Sequence, residues 1–154
     1  FDFQPEGLSE PVRFSSLICF EDVFPGLSRK FVGKGARFLV VSTNDAWYRE
    51  TSAPYQHMQA SIFRSIENRV PVIRSANTGV SGFIDAQGRV EQIVRDSSGK
   101  AIFVEGYVTR AVRTGGYSVT IYTRFGDWMV LAALLMVVLS FSRGCAVPCV
   151  RRHL

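Results

Sequence analysis

The alternation of apolar and polar positions divides the chain into strand-like and helix-like stretches joined by polar turns. Val12–Ile18 has strand character and ends abruptly at Cys19. Phe24–Gly35 predicts an amphipathic helix: Pro25 suits its first turn, Leu27, Phe31 and Val32 supply an apolar stripe, and Gly33 and Gly35 weaken its end. Ala36–Ser42 is a nearly continuous apolar run, the pattern of a central strand covered on both faces. This strand–helix–strand order predicts a parallel crossover unit. Gln56–Asn68 gives the clearest helical period, with Met58, Ile62, Phe63 and Ile66 on one face and Arg64, Glu67 and Asn68 largely off it.

Short strands follow at Val70–Ala76, Val80–Asp85 and Arg89–Val94, with turns at Asn77-Thr78-Gly79 and Asp85-Ala86-Gln87-Gly88. One more strand is expected over Ala101–Val108. Phe1–Pro11 reads as loop and Thr109–Asp127 as irregular. The polar stretch Thr43–Tyr55 leaves the second strand at the same end as Cys19 if the two strands are parallel. Ligands in open α/β sheets bind at that end.

Trp128–Phe141 breaks the pattern. It carries no charge and is apolar all round, with a Trp at one edge and Arg143, Arg151 and Arg152 beyond the other. These features predict a membrane helix, completed through Cys145–Val150, although its charge-free length also suits a buried helix. The cationic end places the C-terminus in the cytoplasm and the α/β part on the opposite face.

Composition narrows the possibilities. A length of 154 residues with 47% hydrophobic content supports one domain with a sizeable core. The formal net charge is +5, but the basic residues are scattered except near the C-terminus, which argues against nucleic-acid binding. Three cysteines make no disulfide framework, and two histidines make a His-based metal site improbable, so no metal or cofactor is expected. His57 is read as a packing or capping residue. The first residues show neither an initiator Met nor a signal peptide, so the chain is expected to be a fragment of a longer one.

Cys19 is the candidate nucleophile. A thiol at a strand tip, beside the backbone N–H groups that open a helix, gains thiolate character. Its competing role is that of a small buried hydrophobe. Glu21, read from the residues alone, suits a solvated acid at a helix start. Arg64 and Glu67, three apart on a helix, suit a structural ion pair.

The stretches Ile18-Cys19-Phe20-Glu21-Asp22-Val23-Phe24-Pro25, Gly35-Ala36-Arg37-Phe38-Leu39-Val40 and Asn44-Asp45-Ala46-Trp47 resemble the C-terminal half of the nitrilase (carbon–nitrogen hydrolase) superfamily. Arg64-Ser65-Ile66-Glu67-Asn68-Arg69 and the two turns named above extend the resemblance. Asn44-Asp45-Ala46-Trp47-Tyr48, Ser52-Ala53-Pro54-Tyr55-Gln56-His57 and an apolar helix introduced by Gly126-Asp127-Trp128 resemble its apolipoprotein N-acyltransferase branch.

The resemblance implies an α/β fold: the C-terminal half of a nitrilase-type α-β-β-α sandwich, followed by one transmembrane helix. Residues 1–127 would form a partial catalytic domain and 128–150 the membrane helix and tail. It implies a Glu-Lys-Cys triad with Cys19 as nucleophile and Glu21 as the acidic catalytic residue beside it. Phe20 would hold the oxyanion through its N–H, and Asn44 and Trp47 would line the pocket mouth. Relatives often have Tyr in place of Phe20, and their Glu base and Lys precede the cysteine strand in a region with no counterpart here. The implied partners are a phospholipid acyl donor and a prolipoprotein acceptor at the bacterial inner membrane, with the catalytic part on the periplasmic side. An amidase acting on small amides and an inert remnant are the competing readings, and the 154-residue chain alone is expected to lack acyltransferase activity.

Overall fold

The computed structural model describes residues 1–7, 10–115 and 118–144. A six-stranded mixed sheet runs in chain order: β1 (Asp2–Phe3), β2 (Val12–Ile18), β3 (Phe38–Asn44), β4 (Val72–Asn77), β5 (Gly82–Ile84) and β6 (Val90–Ile93). The inner strands β2, β3 and β4 are parallel, with Leu17 opposite Val41 and Val41 opposite Arg74. Antiparallel pairs flank them: β1 on β2, then β4–β5–β6. Helices α1 (Pro25–Gly33) and α2 (Ala53–Asn68) supply the crossovers.

The core forms between these helices and one face of the sheet. Leu17, Leu39, Val41, Val72 and Ile84 are buried there, with Leu27, Phe31 and Ile62 packed against them from the helices. Alternating residues point the opposite way. On that face Phe14 stacks on Phe38 with ring centroids 5.1 Å apart, and Phe1 on Phe14 at 5.3 Å.

Several expectations need correction. The first residues are not all loop, because Asp2 and Phe3 pair with Arg13 and Val12. Ala101–Val108 forms no strand. The backbone of Phe103 is left-handed (φ 54°) and its N–H donates to the Thr78 carbonyl, so the segment is pegged to a turn and cannot continue a ladder.

The larger correction concerns α2. Its buried positions are Pro54, His57, Met58, Ser61, Arg64, Ser65 and Asn68, a helical stripe that is mostly polar. Of the expected apolar face, Met58 is buried and Ile62 packs on the core, but Phe63 and Ile66 are exposed, whereas Arg64 and Asn68, expected largely off that face, are buried. The polar stripe can be buried because its hydrogen bonds are made inside the fold. Arg64, for example, donates to both carboxylate oxygens of Glu67 and to the carbonyls of Asp22 and Val23.

A short helix α3 (Ile121–Phe125) is bolted to the domain. Arg29 of α1 donates to the carbonyls of Tyr122, Thr123 and Arg124, and Thr120 donates to the carbonyl of Glu67 at the end of α2. The apolar helix α4 (Trp128–Gly144) has 17 residues, and Met129, Leu131, Leu134 and Leu135 on successive turns are all exposed. Among the described residues no helix is long and apolar enough to cross a membrane. The stretch Cys145–Val150, expected to complete a span, lies outside the described residues.

Candidate active site

The site is built where β2 and β3 end side by side. Their parallel register, with Ile18 opposite Ser42, brings Cys19 next to Thr43 and Asn44. Cys19 opens a 3-10 turn over Cys19–Val23 with φ of 52°, an uncommon backbone for a residue with a side chain. That turn reverses the chain sharply and leaves the thiol partly exposed. Glu21 folds back to accept the Ile18 N–H at 2.7 Å, which closes the turn from behind.

The Cys19 thiol is held below its ordinary range. A hydrogen bond from the Thr43 side chain contributes most, and burial opposes it. The main-chain N–H groups of Asn44 and Phe20 and the nearby charge of His57 add to the lowering. The Thr43 hydroxyl at the strand end is the largest single cause, and of the two main-chain N–H groups only that of Phe20 belongs to the turn that follows Cys19.

Beneath the thiol lies a buried charged quartet that the linear pattern did not reveal. Asp22, three residues after Cys19, accepts from Nε2 of His57 at 2.9 Å, and Asp45, two residues after Thr43, sits 2.8 Å from Nδ1. Arg74 on β4 donates to Asp22 at 2.8 Å and to Asp45 at 3.1 Å. Ser61 donates to Asp22 and accepts from Arg74, while the Thr43 hydroxyl donates to Asp45 at 2.9 Å. Hydrogen bonds to the Asp22 and Asp45 carboxylates raise the His57 pKa to about 9 against the cost of burial. Burial works against ionisation of Asp45, but His57, Arg74 and Thr43 together hold its carboxyl below the usual range. Two carboxylates, one guanidinium and one imidazolium balance in charge, which is how such groups survive out of water. Gly79 is required alongside, since a Cβ there would collide with the Asp45 carboxylate.

His57 is thus an ionic bridge rather than a cap. The signal that pointed to it was present: Asp22, Asp45, His57 and Arg74 are charged or titratable groups inside otherwise well-patterned elements. Their convergence depends on strand register and helix rotation, which no local window contains.

The other expected site residues sit near the same edge. Asn44 accepts from the Ala46 N–H at 3.2 Å and from the Asn77 side chain at 3.0 Å, tying the two strand ends together. Phe20 is half exposed and, with Tyr48, Gln56, His57 and Ala60, lines a pocket of about 250 Å³. Trp47 projects from the 3-10 turn Ala46–Tyr48 and is 85% exposed, outside that pocket's lining.

Residues 3–124 match the family model described as carbon-nitrogen hydrolase. The chain belongs to the carbon–nitrogen hydrolase family. Among curated relatives, apolipoprotein N-acyltransferase of Geobacter metallireducens is 42% identical over 135 residues, covering 85% of this chain and 25% of that protein. Apolipoprotein N-acyltransferase of Thermotoga maritima is 34% identical over 147 residues, covering 93% of this chain and 28% of that protein. The chain therefore spans about a quarter of the length of these relatives. Among solved structures, carbon-nitrogen hydrolase from Helicobacter pylori G27 aligns over 60% of this chain and 41% of that one, at 16% identity and a TM-score of 0.46. In this carbon–nitrogen hydrolase chain, the strand-end thiol and the charged quartet beneath it are the chemically distinctive features.

Proposed function

We propose that this chain carries the nucleophile of an N-acyltransferase that moves a fatty acyl group from a phospholipid to the N-terminal amine of a diacylglyceryl-cysteine lipoprotein. The observation that carries the reading is the partly exposed Cys19 thiol, held toward thiolate by Thr43 and two main-chain N–H groups at adjoining strand ends. The named relatives supply the reaction class.

In the first half-reaction the Cys19 thiolate attacks an ester carbonyl of the phospholipid. The carbon–oxygen bond to glycerol breaks, the leaving oxygen takes a proton, and a thioester remains on Cys19. The N–H of Phe20 donates to the developing oxyanion. In the second half-reaction the lipoprotein α-amine attacks the thioester carbonyl, loses a proton, and the sulfur leaves as thiolate. The Glu and Lys of the family triad would come from sequence outside these 154 residues.

Glu21, through its bond to the Ile18 N–H, keeps the nucleophile turn closed, and Asn44 fixes the facing loop. Trp47 meets the apolar substrate at the pocket mouth. Residues 1–127 form the partial catalytic unit, one sheet-and-helix half of the sandwich. Trp128–Gly144 forms the membrane helix, holding the site beside the bilayer. The protein would act at the bacterial inner membrane, its catalytic part on the periplasmic side and its C-terminus in the cytoplasm.

The test is a chimera in which this chain replaces the matching segment of the Geobacter metallireducens relative. With phospholipid vesicles and a diacylglyceryl-cysteine peptide, the chimera is expected to transfer acyl groups and its Cys19→Ser form to transfer none. Undiminished transfer by the Ser form would sink the reading. The 154-residue chain alone is expected to show no turnover.

A further inference from the structure

The chain enters α4 through a segment whose outward side is apolar. Ile121 and Phe125 on α3 are each 62% exposed, Val119 just before it is 65% exposed, and the exposed Trp128 opens α4. Residues four apart lie on one helix face, so Ile121 and Phe125 point the same way. Exposed apolar side chains scattered singly need no explanation. Four of them within ten residues, at the root of an apolar helix, form a patch that calls for a partner.

The domain holds this patch in a fixed orientation. Besides the three carbonyls of α3 that accept from Arg29, the Thr123 hydroxyl donates to the Asn68 side chain at 3.0 Å. Thr120 accepts from the Thr123 N–H at 2.9 Å and donates to the Glu67 carbonyl. The chain then turns at Gly126 (φ 66°), where a Cβ would come within 3.1 Å of the Arg29 guanidinium carbon. α3 cannot roll to bury Ile121 and Phe125 without breaking these bonds, so its apolar face stays turned outward.

We infer that Val119, Ile121, Phe125 and Trp128 form an apolar collar that seats in the headgroup boundary of the phospholipid bilayer entered by α4. The inference rests on the membrane reading of α4 and adds a second contact, which fixes how the domain sits on the surface. Continuity of the chain commits the patch to that partner. Phe125 precedes Trp128 by three residues, so their Cα atoms are at most about 11 Å apart. Ile121 lies about 6 Å further along α3. Helices lying in a membrane interface bury their apolar face about 5–10 Å deep, a distance on the same scale. With Trp128 at the boundary, where tryptophans concentrate, Phe125 and Ile121 are within reach of it. Charge agrees: Arg124, exposed on the same short helix, suits lipid phosphates, and the exposed Asp127 stays among hydrated headgroups. Anchored by α4 alone, the domain could tilt about Gly126. The collar removes that freedom, because α3 is bonded to both α1 and α2.

The experiment binds the unaltered 154-residue chain to vesicles of phosphatidylcholine with a minor share of phosphatidylglycerol. The vesicles contain a phospholipid with a photoactivated diazirine close to the glycerol, and labelled tryptic peptides are read by mass spectrometry. Cleavage after Arg113, Arg124 and Arg143 separates the collar peptide 114–124 from the α4 peptide 125–143. Both are expected to carry label, at Val119 and Ile121 in the first. The peptide 75–89, which carries β5 and its turns, is expected to carry none. With the diazirine moved to the end of the acyl chain, label is expected to persist in 125–143 and to be lost from 114–124.

Ile121→Asp, a change at an exposed position, should cut labelling at Val119 severalfold while 125–143 remains labelled. Label confined to 125–143 with the glycerol-level reagent would overturn the collar and leave the membrane helix standing, as when a second copy of the chain covers the patch. Equal labelling of 114–124 by both reagents, or an Ile121→Asp form labelled like the unaltered chain, would also overturn it. Absence of label from both peptides would refute the membrane reading of α4, and the collar with it.

Discussion

Arg74 has no exposed side-chain surface, and its terminal nitrogens are committed to Asp22, Ser61 and Asp45. Replacing it with Leu would leave two buried carboxylates facing one imidazolium. Breaking a buried pair from one side costs about 3–5 kcal/mol, so Arg74→Leu is expected to lower the free energy of unfolding by about that much in urea titrations. The pH dependence follows from His57. Its folded pKa, about 9, lies above the ordinary 6.5, so the protonated form is favoured by folding. That stabilisation, on the order of 3 kcal/mol, is complete below pH 6.5 and is lost as pH rises through 9. Asp45 has the opposite sign: its lowered pKa stabilises the fold above its ordinary value and is lost as pH falls through the lowered one. Urea midpoints across pH 6–10 should therefore fall on the alkaline side, and this fall should be absent in His57→Gln.

Among the elements, α2 shows how far an amphipathic pattern can mislead. The sequence period is helical, and the helix forms over Ala53–Asn68, but the face turned inward is the one bearing His57, Ser61, Arg64 and Ser65. Apolar periodicity assumes that burial follows transfer free energy. Here hydrogen bonds and ion pairs offset the desolvation of the polar stripe, while Phe63 is left 56% exposed. Substitutions distinguish the two faces. Phe63→Ser is expected to change stability by no more than about 0.5 kcal/mol, as surface replacements do. Ser65→Leu, at a position with no exposed surface, is expected to cost about 1–3 kcal/mol by overpacking. Thermal melts of the two variants would show the reverse order if the sequence pattern were right.

Across the whole molecule, two ends do different work. The strand-exit edge carries Cys19 above the buried charged quartet, and α4 leaves the domain with its apolar residues facing outward. At 1.5 Å per residue its 17 residues extend about 25 Å, short of a hydrocarbon core of about 30 Å. The membrane reading predicts that the full chain sediments with phospholipid vesicles and needs detergent for release, whereas residues 1–127 stay in the supernatant. Leu134→Asp should weaken sedimentation, since an acid at mid-helix costs about 2.5–3.5 kcal/mol in a bilayer. Equal sedimentation of the Asp form and the unaltered chain would count against it. α3 gives α4 a fixed root, because Arg29 and Thr120 tie it to α1 and α2.

Much of this was legible in the linear chain. β2 was expected over Val12–Ile18, the parallel crossover to β3 follows from strand–helix–strand spacing, and Cys19 stands at the strand exit where it was expected. Such features are local: period, breakers and short connections act within one or two elements. The rotation of α2 and the meeting of Asp22, Asp45, His57 and Arg74 depend on residues as far apart as 52 positions. Only packing, with parallel strands in register and a helix laid across them, brings those four charges within hydrogen-bonding distance. Their mutual neutralisation, unavailable to any one segment alone, then determines which face of the helix is buried.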